Sequence, residues 1–461
     1  MAKKTQLIQT DIAIIGGGAG GLSLAAGAVQ LGARVVLVES GKMGGDCLNY
    51  GCVPSKALLH AAQAKKLKFK AVMAHVQQSI NTLAKHDSVQ RFESLGVQVI
   101  QAPGKFINQK TLEAGEYQIQ AKRFVIATGS TPFVPPISGL DLVQYETNES
   151  IFSLKQLPKH LIIIGGGPIG CELAEAFAML GSKVSILEGF KLLPKDDADA
   201  VDILRTQLFE MGVNIYEGIQ VKLVQALSNK NLQVQIESKG ELLEIEGTHL
   251  LVSTGRRANV ADLGLDKAGV NFSDKGIQVD RRLRCSNKKI YAMGDVVGPF
   301  QFTHVASYHA GIVLRNILFK LPAKVNYDAI PWVTYTYPQI AHVGILLEEA
   351  EKQPNFVITE AFFSDNDKAV ITGNTLGKIK VITNKKGRIF GVTITGRDAG
   401  ELILPWVIAI REKKSLRVFT DTIVPYPTLS EISKRVASEF YKPKIFSNKM
   451  RCLVRGLLKL S

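Results

Sequence analysis

One pattern, written twice, dominates the chain and leaves little freedom in what it can fold into. Residues Asp11 to Ile15 form a short apolar run that enters GGGAGG, where Gly16, Gly18 and Gly21 fit the spacing GxGxxG. Leu22 to Leu31 follow as a helix of small residues, then Arg34 to Val38 as a second apolar strand ending on Glu39. The pattern returns at Leu161 to Ile164, with Gly165, Gly167 and Gly170 in GGGPIG, a helix to about Leu180, and a strand from Lys183 to Leu187 ending on Glu188. The acid lies at the same sequence distance from the first glycine in both copies. Strand, tight turn, helix and strand in this order set a helix N-terminus beside bare backbone, which suits a pyrophosphate, and a carboxylate beside ribose hydroxyls. One copy alone would also serve as a close helix-strand packing turn. Two copies with matching acids predict two dinucleotide sites, each on a doubly wound α/β unit.

A length of 461 residues fits about three domains, and 46% hydrophobic residues suffice for their cores. Five cysteines are too few for a disulfide scaffold, and Cys171, Cys285 and Cys452 are scattered, which suits a reducing compartment. The N-terminal MAKKTQLIQTD has no apolar leader, and no apolar run approaches the roughly 18 residues that would span a bilayer. A cytoplasmic protein is expected. The net charge of +15 suits anionic nucleotides, a membrane surface or solubility alone, and no motif points to nucleic acid.

The other two cysteines, Cys47 and Cys52, stand in GGDCLNYGCVPSK. For a disulfide to join them, Leu48, Asn49, Tyr50 and Gly51 must curl, and Gly51 permits it. Pro54 reads as the first residue of a helix continuing through Ala57, Leu58, Leu59, Ala61 and Ala62, which puts Cys52 near a helix N-terminus. The helix dipole and Lys56, one turn on, would favour a thiolate there. Two buried free thiols acting as small hydrophobes are the alternative.

The dithiol segment following a glycine-rich turn resembles the pyridine nucleotide-disulfide oxidoreductases, the flavoprotein family of glutathione reductase, lipoamide dehydrogenase and mercuric reductase. The resemblance covers nearly the whole chain. It implies an FAD site at the first glycine motif and a nicotinamide site at the second. Hydride would pass from nicotinamide to flavin and two electrons on to the disulfide, with Cys52 facing the flavin and Cys47 the substrate. It implies further flavin contacts at Gly104 in APGKF, at Ala127, Thr128 and Gly129 in AKRFVIATGS, and at Asp295 and Thr303. Thr254 and Gly255 would close the nicotinamide fold, and Lys56 would pair with Glu172 beside the flavin. The carboxylate of Glu188 would repel a 2′-phosphate, which favours NADH over NADPH, although Lys191 and Lys195 lie nearby. The implied layout is an FAD domain of residues 1–148 and 276–335, a nicotinamide domain of 149–275, and an α+β dimerisation domain of 336–461. In the last, strands Gly377 to Thr383 and Arg388 to Thr395 precede a helix from about Ala399. A homodimer with its site completed by the partner subunit follows.

At the C-terminus the chain departs from much of that family. The His-Pro-Thr-x-x-Glu segment, whose histidine shuttles protons for the dithiol, reads Tyr426-Pro427-Thr428 followed by Glu431. The last histidine is His342. A phenol is a poor base at neutral pH. Mercuric reductase also carries tyrosine here, so the sequence tilts toward a mercuric-reductase-like enzyme, with dihydrolipoyl dehydrogenase as the alternative. Yet only Cys452 stands where that enzyme has a C-terminal cysteine pair, and no N-terminal metal-binding domain is expected. Tyr426 as an interface aromatic without a chemical role is also open. From Lys442 to Ser461 the chain holds six cations and no acid. As a helix, Met450, Leu453, Val454, Leu457 and Leu458 would share a face, the pattern of a membrane-surface helix or of a tail docked on its own dimer. With that tail, a peripheral electron-transfer flavoprotein serving a quinone is a third reading.

Overall fold

The computed structural model describes residues 6–64, 68–228, 231–352 and 354–460. They fall into two compact units, Met1–Phe190 with Asn214–Val325, and Lys191–Val213 with Asn326–Ser461.

The first unit contains two related sheets. The larger has seven strands and is parallel at its centre, where Gln6–Ile15 lies between Val35–Glu39 and Tyr117–Ile126. Val97–Gln101 adds beyond Val35–Glu39, and Ile290–Ala292 beyond Tyr117–Ile126. Ile12, Ala13, Ile14 and Ile15 are all buried, as a strand covered on both faces requires. Gly104–Asn108 and Thr111–Ala114 complete an antiparallel extension on Tyr117–Ile126. Beneath it Phe106 meets Phe124 edge-on at 5.2 Å. The second sheet repeats the plan with four parallel strands, in the order Asn214–Glu217, Lys183–Glu188, His160–Ile164 and His249–Val252. A three-stranded antiparallel sheet, Gln220–Ala226, Leu232–Ser238 and Glu241–Gly247, accompanies it. The expected duplication of the α/β plan is thus present, each copy with its own antiparallel attachment.

Helix Ala19–Gln30 buries Gly20, Gly21, Leu22, Leu24, Ala25 and Ala28. Small residues on that face admit helix Thr303–Ile317: a Cβ on Gly27 would lie 2.8 Å from Leu314. Helix Cys52–Gln63 begins two residues earlier than the proline signal indicates, with Cys52 itself as its first residue. Pro54, third in the helix, costs nothing there, because the first-turn N–H groups have no intrahelical acceptor.

In the second unit a five-stranded antiparallel sheet runs Pro331–Thr334, Gln339–Gly344, Ile389–Gly396, Lys378–Asn384 and Phe356–Phe362. Its core gathers Trp406, stacked on Phe419 at 4.0 Å, with Ile432, Val436 and Phe440 of helix Glu431–Ile445. Helix Ala198–Glu210 belongs to this unit too. The segment leading into it is fixed by buried Lys380, whose ammonium donates to Asp197 at 2.8 Å and to Asp199 at 2.7 Å. A lysine that deep in a sheet requires such partners. The tail forms a helix, Asn448–Leu457, capped by Ser447, whose hydroxyl accepts from Met450 N at 3.4 Å.

Candidate active site

The two glycine turns have nearly the same geometry. Gly16 and Gly165 take left-handed φ angles of 111° and 109°. A Cβ on Gly21 would fall 1.9 Å from the carbonyl oxygen of Gly16, and one on Gly170 2.0 Å from that of Gly165. No side chain fits at Gly21 or Gly170, in the first turn of either helix. Helices Ala19–Gln30 and Pro168–Met179 begin without side-chain caps, because their N-cap residues, Gly18 and Gly167, have no side chain to offer. Their first N–H groups can serve an anion instead.

Glu39 accepts from the backbone N–H of Gly17 at 2.5 Å and of Gly41 at 2.6 Å. Glu188 accepts in the same way from Gly166 at 2.6 Å and Phe190 at 2.9 Å. Each carboxylate is thereby held against its own glycine turn. Ala127 packs on Gly16, its N–H bonded to Ile15 O at 2.7 Å. Thr128 and Asn259 exchange hydrogen bonds of 2.8 and 2.9 Å, and Gly129 is left-handed. In the second copy Ser253 takes the place of Ala127, Thr254 donates to Phe133 O at 2.8 Å, and Gly255 has φ 136°. Gly104 has a packing explanation: a Cβ there would press on Val38 and Ile15 at 3.2 and 3.3 Å.

The redox segment is built onto the first turn. Gly44 donates to Gly17 O at 2.8 Å, and a Cβ on Gly45 would lie 2.8 Å from Gly18 Cα. Cys47 sits in the short helix Gly45–Asn49 and Cys52 opens the next, and both are free thiols. Cys47 donates a hydrogen bond to Cys52, which lowers the pKa of Cys52 and raises that of Cys47. Lys56 lowers Cys52 further, as does Thr303, whose hydroxyl lies 4.0 Å from the Cys52 sulfur. Thr303 is the first residue of helix Thr303–Ile317, so two helix N-termini meet at one sulfur. The surroundings of Cys52 thus favour its ionised form, and those of Cys47 its protonated form.

Lys56 and Glu172 are brought together at 2.7 Å. The carboxylate is 4% exposed and the lysine 33%. Asp295, half-buried, accepts from Ser130 Oγ at 2.6 Å, and burial raises its pKa. Arg256 donates to the same Ser130 hydroxyl at 2.7 Å and pairs with Asp46 at 3.1 Å. Asn148 donates to Asp46 at 3.0 Å and to Tyr50 O at 3.1 Å. Sequence reading missed Asp46, Ser130, Asn148 and Arg256. Only Asp46 carried a usable signal, its place beside Cys47.

In the second unit Tyr426 is exposed, and its hydroxyl donates to Asp367 Oδ2 at 2.9 Å. That bond and the carboxylate's charge raise the phenol's pKa. Glu431, the acid singled out in the sequence, instead accepts from Thr428 N at 3.3 Å at the start of its helix. Asp367 is thus the acid on Tyr426, which sequence spacing did not indicate. Among the described residues no group of three or more His, Cys, Asp or Glu is arranged to hold a metal ion.

The residues present fit a flavin dinucleotide in the first turn: uncapped N–H groups, an acid fixed for a ribose, and a cysteine pair built onto the same loop. Residues 10–310 match the family model "Pyridine nucleotide-disulphide oxidoreductase", and residues 330–437 match that family's dimerisation domain. Mercuric reductase of Bacillus cereus is 33% identical, with 94% of this chain covered and 72% of the relative. Dihydrolipoyl dehydrogenase of Staphylococcus aureus is also 33% identical, covering 94% of this chain and 97% of the relative. Among solved structures, the Cu(II) complex of the HOCl-induced flavoprotein disulfide reductase RclA from Escherichia coli superposes with a TM-score of 0.87 at 30% identity. That match covers 93% of this chain and 99% of the other. The chain belongs to the pyridine nucleotide-disulphide oxidoreductase family and is an FAD-dependent, NAD(P)H-linked oxidoreductase of the disulfide-reductase type.

Proposed function

We propose that this enzyme passes electrons from NADH through the Cys47-Cys52 pair to a soft metal ion held by thiolates, mercuric or cupric, in preference to an organic disulfide. The observation that carries the reading is Tyr426, a phenol whose proton is held by Asp367 where a relative acting on dithiols needs a histidine base. FAD, when bound, converts a hydride into electrons the disulfide can take. One NADH supplies two electrons and the disulfide takes up two protons on becoming the dithiol. Return to the disulfide delivers the same two electrons to one mercuric or two cupric ions. The metal's thiolate ligands leave as stable anions and the dithiol's two protons return to solvent, so no positioned proton shuttle is required at that step.

In this reading Gly16, Gly18, Gly21, Glu39, Gly104, Ala127, Thr128, Gly129, Asp295 and Thr303 line the flavin site, on a domain of residues 1–148 and 276–335. Gly165, Gly167, Gly170, Glu188 and Gly255 line the nicotinamide site on residues 149–275. NADH is favoured because Glu188 is fixed as a hydrogen-bond acceptor, and Lys191 is ion-paired with Glu348 at 3.1 Å. Lys56 and Glu172 set the charge beside Cys52. The dimerisation match supports a homodimer, typical of the family, in which Tyr426 and Glu431 complete the partner's site.

The test is an acceptor panel under NADH: mercuric and cupric bis-thiolates, oxidised lipoamide, oxidised glutathione and a quinone. A metal complex is expected to give the highest kcat/KM. Lipoamide or quinone turnover exceeding both metals would overturn the assignment. Lipoamide dominance would establish the dihydrolipoyl dehydrogenase reading instead.

A further inference from the structure

We propose that helix Asn448–Leu457 docks this enzyme on an anionic lipid surface. All ten of its residues are exposed, so it adds nothing to the core that carries it. Met450, Leu453, Val454 and Leu457 follow one another at helical spacing and form a single apolar stripe, 40% to 56% exposed. Ile445 and Phe446, just before the helix, are exposed as well. Arg455 lies on the opposite face, with Arg451 and Lys449 at its two edges.

From Lys442 to Lys459 the chain has six cations and no acid. An apolar stripe backed by cations is the composition of a helix lying in a headgroup layer, its leucines among acyl chains and its arginines among phosphates. At about 15 Å a ten-residue helix is too short to cross a bilayer. Among the described residues no helix is long and apolar enough to do so.

Two observations separate the lipid surface from other occupants. The helix lies beyond residues 330–437, the part that matches the dimerisation domain, so a second copy of the chain is not the expected cover. A nucleic acid would use the cations but would gain nothing from the leucine stripe. The preceding turn is fixed to the second unit, since Lys444 Nζ donates to Lys385 O at 3.0 Å and lies 4.2 Å over the Phe440 ring. The helix is therefore presented from a folded body. None of this involves the electron outlet, so the proposal stands apart from the choice of acceptor.

The experiment uses the flavin-loaded full chain and co-sedimentation with vesicles of phosphatidylglycerol and phosphatidylcholine, or of phosphatidylcholine alone. It compares wild type with Leu453→Asp/Leu457→Asp and Arg451→Glu/Arg455→Glu, with NADH oxidation and light scattering as controls for folding and dimer mass. Wild type is expected to bind anionic vesicles in low salt, and each double variant to lose about tenfold or more of that partition. Equal sedimentation of all three proteins, or equal binding to phosphatidylcholine alone, overturns the proposal. So does a Leu453→Asp/Leu457→Asp protein that dissociates to monomers while keeping its lipid binding, because the stripe would then be a cover between copies.

Discussion

Lys56 and Glu172 make opposite demands on the thiol beside them, and separating those demands tests the electrostatic reading of the site. At 2.7 Å the pair's Coulomb term runs from about 1.5 kcal/mol in water-like surroundings to about 6 kcal/mol at an effective dielectric near 20. The ammonium is one-third exposed, so water screens it and desolvation of the carboxylate offsets part of the gain. Lys56→Met and Glu172→Gln should each lower the stability of the flavin-loaded protein by about 1–3 kcal/mol, with a double-mutant coupling of about 1 kcal/mol or more. Urea unfolding with matched slopes reads this. The same two variants should split in their effect on Cys52, whose pKa the fold holds down at about 6. Lys56 lowers that value and Glu172 raises it. Iodoacetamide alkylation of the reduced enzyme against pH should therefore show the midpoint rising in Lys56→Met and falling in Glu172→Gln. Shifts in the same direction, or stability losses without opposed midpoints, would refute the reasoning.

Gly21→Ala forces a Cβ onto a carbonyl oxygen at 1.9 Å and Gly170→Ala at 2.0 Å. The first should abolish flavin retention, read by absorbance after gel filtration. The second should keep the flavin and lose about tenfold or more in kcat/KM for NADH; the reverse pattern would exchange the two site assignments. Glu188→Gln removes the charge that opposes a 2′-phosphate, so the NADPH-to-NADH ratio of kcat/KM should rise about tenfold, and an unchanged ratio would remove Glu188 from coenzyme choice. Burial raises Asp196 from 3.8 to about 6, and Trp332 donates to it at 2.8 Å. A raised carboxyl favours the fold below its unfolded value and withdraws that support as pH rises through the folded one. Asp196→Asn should accordingly gain on wild type between about pH 4 and pH 7, by at most about 3 kcal/mol, in chemical denaturation across that range. A pH-independent difference would contradict the shift.

The parts of the fold that sequence revealed are those whose physics is local. A glycine turn, its helix and its acid occupy one short stretch, so spacing alone placed Glu39 and Glu188 where backbone N–H groups hold them. The pairing of Lys56 with Glu172 was reached through family likeness, since more than a hundred residues separate them. The bracing of the redox loop by Asn148 and Arg256 crosses similar distances, and nothing in the local string distinguishes those side chains from ordinary loop polar groups. The same is true of Asp367, which holds the Tyr426 hydroxyl, while Glu431 accepts from Thr428 N just ahead of its own helix. Lys380 shows the converse limit. Within a β-strand pattern it reads as a surface residue, yet it is 3% exposed because Asp197 and Asp199 meet it.

The claim that matters most is that the outlet through Cys47 and Cys52 works without a base at Tyr426. Its most direct test measures kcat/KM for a mercuric or cupric bis-thiolate and for lipoamide in wild type, Tyr426→Phe and Tyr426→His. The account predicts metal turnover in Tyr426→Phe within about threefold of wild type, and lipoamide turnover in Tyr426→His raised by about tenfold or more. Loss of metal reduction in Tyr426→Phe, or lipoamide turnover that ignores the new histidine, would contradict it.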